Sequence, residues 1–74
     1  MALWKITAKN NKNWGAKKNL VKGMFIEMYT TSTTPPLNLT KYYEDIAQAF
    51  NVKYSTDFDK SKIGHSYFVC EKIG

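Results

Sequence analysis

Arginine is absent: all eleven basic residues are lysine. Lysine is a flexible point charge without the planar fork that reads phosphate or guanine bidentately, so sequence-specific base recognition is not expected. Cysteine occurs once, at Cys70, and histidine once, at His65. A single cysteine closes no intramolecular disulfide, which rules out a stapled secreted mini-protein. Cys70 and His65 together fall short of the three or four ligands of a zinc site, and one histidine leaves little for nucleophilic schemes. Nothing near Cys70 would lower its thiol pKa, so a buried structural cysteine is expected. The glycines at 15, 23, 64 and 74 are too scattered to cradle a phosphate. No apolar run approaches the length that crosses a membrane, and the first residues lack the apolar core of a signal peptide. Ala2 stands where myristoylation needs glycine, and Glu71-Lys72-Ile73-Gly74 is not a prenylation box. The expectation is a cytoplasmic protein with no membrane, metal or cofactor.

What is present is an ordinary globular composition in 74 residues, 43% hydrophobic and 23% charged, enough for one small domain spanning residues 1–74. Its charge is uneven. Residues 1–26 hold six lysines and no acid, whereas residues 27–74 hold five lysines and six acids, so the net +5 is wholly N-terminal. Such a set either solvates a strand face and blunts a sheet edge or meets an anionic partner.

Ala2 to Lys9 alternates with the period of a half-buried strand, Ala2, Trp4, Ile6 and Ala8 on one side and Leu3, Lys5, Thr7 and Lys9 on the other. Trp4 and Ile6 are therefore expected in the core. Residues 10–19 read as a loop, and Leu20 to Thr30 as a second strand with Met24, Ile26 and Met28 opposed to Phe25, Glu27 and Tyr29, bent or bulged at Gly23. The stretch Thr30 to Pro36 reads as a connecting arm, because consecutive prolines remove two backbone donors. Leu39, Tyr43, Ile46, Ala47 and Phe50 share one helical face; Thr40 or Asn38 can cap the start, Glu44 and Asp45 suit the positive end of the dipole, and Asn51 can supply the left-handed end. Residues 53–65 read as a loop with a short turn near Asp57 to Lys62, and Ser66 to Ile73 as the last strand, Tyr67, Val69 and Ile73 opposed to Phe68 and Cys70.

The order β-β-α-β predicts an α+β fold: a three-stranded, mainly antiparallel sheet of order 2-1-3 with one helix on one face, joined by a right-handed crossover. The face opposite the helix is then open, and Leu3, Phe25 and Tyr29 are its candidate interaction residues.

Other constellations fail. Asp57, Asp59 and Ser61 match the start of a calcium loop, but Lys62, Gly64 and Phe68 stand where its glycine, hydrophobic residue and closing acid belong, which leaves the aspartates to cap a turn. Glu44 and Asp45 point about 100° apart on a helix and cannot face each other as a glycosidase pair. An enzyme is not expected.

Two binding readings remain. The open sheet face or the edge strands can contact a protein partner or a second copy. Alternatively Lys9, Lys12, Lys17, Lys18 and Lys22 can meet phosphates while Trp14 stacks on an unpaired base of a single-stranded nucleic acid, unless that ring folds back to cover the core edge. Lys22-Gly23-Met24-Phe25-Ile26 echoes part of an RNA-recognition strand, but the leading aromatic and the small residue of that motif are replaced and its second helix is lacking.

The opening Ala2-Leu3-Trp4-Lys5-Ile6-Thr7, the Val21-Lys22-Gly23-Met24 step and the final strand from Ser66-Tyr67 to Glu71-Lys72-Ile73 together resemble a family of short uncharacterised proteins from gut bacteria. The resemblance spans most of the chain, implies a bacterial origin and brings no activity to any residue.

Overall fold

The structure is a computed structural model that describes residues 2–31 and 33–74, so Ser32 of the arm lies outside the described residues. Strand β1 spans Ala2–Ala8 and buries every even residue, as its alternation requires. It is the centre of the sheet. Strand β4, Phe25–Thr30, and strand β5, Phe68–Lys72, flank it antiparallel in the order β4-β1-β5, with Ile6 opposite both Ile26 and Cys70. The expected α+β fold and strand order are those observed.

Helix α1, Tyr43–Tyr54, covers one face. Its buried residues Ile46, Ala47 and Phe50 meet Ile6, Ile26 and Phe68, and Leu37 of the arm closes the same cluster. Phe50 packs its ring 5.2 Å from that of Phe68. The Cα radius of gyration, 11.4 Å, matches the roughly 11 Å of a compact chain this long, with no disulfide to hold it.

Four local readings are corrected. The loop at residues 10–19 contains a short hairpin of β2, Lys12–Asn13, and β3, Asn19–Leu20. Asn13 accepts the Gly15 amide through its side chain, and positive φ at Gly15 and Lys17 turns the chain. The second strand does not begin at Leu20: Leu20 belongs to the hairpin, and a turn at residues 21–24 uses Gly23 at φ 99° before β4 starts. The bend foreseen at Gly23 is therefore a turn.

Neither Asn38 nor Thr40 caps the helix. Two 3-10 turns, Pro36–Asn38 and Thr40–Tyr42, precede it, separated by Leu39 in extended backbone at φ −123°, and α1 starts without a side-chain cap. Proline at the first position suits such a turn, since its missing N–H has no partner there anyway. The helix also runs past Asn51 to end at Ser55, which takes the left-handed conformation at φ 56°. Asn51 acts through its side chain instead: Oδ1 accepts from the Phe58 amide and the Thr56 hydroxyl, and Nδ2 donates to the Phe58 carbonyl. Lys60–Lys62 forms the expected short turn, capped by Asp59.

One buried polar pair crosses the sheet. Trp4 Nε1 donates to Thr30 Oγ1 at 2.9 Å. Replacing Thr30 by Val removes this acceptor, which predicts a loss of about 1–3 kcal/mol in urea unfolding. The double variant Trp4→Phe, Thr30→Val no longer strands a donor, so its loss is expected to be smaller than the sum of the two single losses.

Candidate functional site

The odd residues of β1 and their neighbours in register form the face away from α1. Leu3 lies opposite Tyr29, Lys5 opposite Glu27 and Glu71, and Thr7 opposite Phe25 and Val69. Leu3, Phe25 and Tyr29 thus share one face, as the alternation predicts. The face is well exposed: Tyr29 is 67% accessible, Val69 47% and Ile73 41%. Ile73 joins it because its amide bonds to the Leu3 carbonyl at 2.9 Å, which carries the ladder past the end of β5. Lys5 also lies over the Phe25 ring, 4.4 Å from its centroid, and Lys53 of α1 lies 3.5 Å from it. Each such contact contributes about 0.5–1 kcal/mol at an exposed site.

Beside this face runs the outer edge of β4. The Tyr54 hydroxyl accepts from the Phe25 amide and donates to its carbonyl, while Lys53 Nζ donates to the same carbonyl at 2.9 Å. Beyond Phe25 the edge borders a groove of about 680 Å³ between β4 and α1, with Ile26, Glu27, Asp45, Ala49 and Val52 in its lining. Sequence periodicity marks neither this groove nor the closure at Phe25, since both depend on how the helix end crosses the sheet.

The N-terminal lysines gather elsewhere. Lys9, Lys12, Lys17 and Lys22 are exposed around the β2–β3 hairpin, and Lys18 is half-buried. Trp14, at the same hairpin, folds back. Its ring stands edge-on to Tyr67 at 5.1 Å and to Phe58 at 5.9 Å, and Lys62 Nζ lies 5.7 Å from its centroid. The ring clamps the hairpin to the segment between α1 and β5. Tyr67, read as part of the last strand on one face with Val69 and Ile73, lies outside β5 and joins this cluster instead.

Chemically reactive groups are sparse and apart. Cys70 points to the helix side of the sheet opposite Ile6 and is half-buried rather than fully buried. Burial pushes its thiol pKa up, against a smaller opposite effect of a backbone hydrogen bond from Leu37. His65 is exposed. The hydrogen bond from the Ser61 hydroxyl holds the Asp59 carboxyl below its ordinary value. Among the described residues no cluster of three histidine, cysteine or acidic side chains could hold a metal ion, and no helix is long and apolar enough to cross a membrane.

A family model matches residues 1–70, that of the family of unknown function DUF6140, and the chain belongs to that family. No curated protein matches the chain, and no solved structure does.

The packing of Trp14 predicts that Trp14→Ala lowers unfolding stability by about 2 kcal/mol, below the cost of a fully buried ring because one side remains in solvent. Denaturant titration of the variant measures it. For Cys70, alkylation by iodoacetamide in the folded protein is expected to reach half its limiting rate at higher pH than in the urea-unfolded chain. Because the folded thiol ionises later than the unfolded one, its contribution to stability is complete below the unfolded pKa and is lost as pH rises towards the folded pKa. A folded midpoint at or below the unfolded one contradicts the burial.

Proposed function

We propose that this member of DUF6140 is a non-catalytic binding module of the bacterial cytoplasm that acts through contacts of its sheet face and edge with protein. The observation that carries this reading is the open face itself: Leu3, Tyr29 and Ile73 at one end and Phe25 and Val69 at the other, with Lys5 between two glutamates in the middle. Apolar groups displayed side by side on a rigid sheet, rimmed by charge, are the surface chemistry of protein contacts. The thin supply of nucleophile and base, with Cys70 inward and His65 exposed, fits a role without bond making.

A second reading, contact with single-stranded nucleic acid, is favoured by the exposed lysines around the hairpin. What weighs against it is that the Trp14 ring already packs edge-on against Phe58 and Tyr67 rather than standing clear of the protein.

Fluorescence anisotropy of a labelled mixed-sequence oligonucleotide at two salt concentrations separates the readings. The protein-binding reading expects flat anisotropy at moderate salt. Binding that weakens steeply with salt and disappears in Lys12→Ala, Lys17→Ala, Lys22→Ala overturns it in favour of the second.

A further inference from the structure

The two outer strands of the sheet are finished differently. Along β5 the arm folds close by, with a Leu37 backbone hydrogen bond to Cys70, and the strand ends in Glu71 and Lys72. Strand β4, with the sequence Phe-Ile-Glu-Met-Tyr-Thr, has no proline, no lysine and a single charge. Proline and lysine within a strand keep an exposed edge from pairing, and β4 has neither.

Its hydrogen-bonding groups can be assigned in turn. Both the amide and the carbonyl of Phe25 face outward, since they bond to Tyr54 and Lys53 of the helix. Groups alternate along an antiparallel strand, so Glu27 and Tyr29 also face outward while Ile26, Met28 and Thr30 bond to β1. Phe25 is occupied; Glu27, in the lining of the groove beside α1, and Tyr29 further along the strand each offer a donor and an acceptor.

We propose that β4 pairs antiparallel with β4 of a second copy, Glu27 opposite the other copy's Tyr29 and Met28 opposite Met28. This rests on reading the domain as a protein-binding module and names its partner. The occupied Phe25 sets the register. Shifted one way, Glu27 would face Glu27 directly, a like-charge pair that destabilises a sheet. Shifted the other way, Glu27 would face Thr31, beyond the end of the strand. Only the intermediate register joins the free groups of both copies, in about four hydrogen bonds. It is also the charge-compatible one: Glu27 meets a tyrosine and keeps Lys5 beside it on β1. On the helix side the other copy's Thr30 is set against Ile26 at the floor of the groove, near Val52, which is 85% exposed in the single chain. The product is a continuous six-stranded sheet with the two open faces side by side.

The test is sedimentation over a concentration series, with variants that act only on the edge. In Glu27→Pro and Tyr29→Pro the lost amide points outward, so each is expected to stay monomeric where the parent dimerises, with unchanged circular dichroism and with the thermal midpoint that the parent shows at dilutions where it is monomeric. In a Cys70→Ser background, Met28→Cys places two thiols across the two-fold axis at a Cα separation of about 4.5 Å, within disulfide reach. It is expected to form a disulfide dimer on mild oxidation, whereas Val69→Cys on the open face is not. A parent that remains monomeric up to its solubility limit, a dimer that survives both prolines, or crosslinking of Val69→Cys in preference to Met28→Cys overturns the pairing. Any of these leaves the protein-binding reading standing, because that reading falls only to the oligonucleotide result.

Discussion

One helix can cover one face of a three-stranded sheet and no more. A helix with its side chains is about 10 Å across and strands lie about 4.8 Å apart, so α1 fills the width of the sheet on its own side. Every strand then has to be two-sided. The even residues of β1 are buried and its odd residues are half-buried on the face without a helix. The middle row of that face is charged, Glu27, Lys5 and Glu71, and it divides the apolar surface into two smaller patches. A face of this kind stays soluble while keeping apolar groups available for contact.

The core is small, and polar side chains fix the chain where burial cannot. Asn51 holds the turn after the helix with three hydrogen bonds to Thr56 and Phe58. The Tyr43 hydroxyl ties the helix start to the Leu37 carbonyl at 2.7 Å, which seats the proline arm over the core. Tyr54 and Lys53 do the same for the start of β4. Each residue belongs to α1, so the helix supplies both the apolar face that closes the core and the polar ties that position the connections. The occupation of Phe25 is a by-product of that arrangement, and it divides the outer edge of β4 into a closed start and an open remainder.

The elements legible in the sequence are those whose burial imposes a period. The two-residue repeat of Ala2 to Ala8 and the helical spacing of Tyr43, Ile46, Ala47 and Phe50 follow from facing a common core, and the shared face of Leu3, Phe25 and Tyr29 follows from the register they dictate. The β2–β3 hairpin was hidden because two-residue strands are too short to alternate. The start of the helix was hidden because Leu39 keeps the apolar spacing of the helix face while its backbone is extended. Trp14 sits among lysines and asparagines with nothing local to bury it; its neighbour Phe58 comes from a polar stretch that reads as loop and Tyr67 from the start of the last predicted strand, so only the fold brings the three rings together.

That cluster bears on how the charge of the molecule is used. The lysine-rich hairpin leaves the sheet at the Ala8 end of β1, whereas Leu3, Tyr29 and Ile73 lie at the other end, some 15–20 Å away along the strand. The chain is correspondingly elongated, 35 Å by about 20 Å. At ordinary ionic strength the screening length is about 8–10 Å, so the exposed lysines have little influence on a contact made at the far end of the face. The local charges there are Lys5, Glu27 and Glu71, one base between two acids, so that end of the face is slightly acidic. A partner docking on the Leu3 end therefore meets an apolar surface with a slightly acidic border, and the net positive charge of the whole chain is a poor guide to the chemistry of that partner.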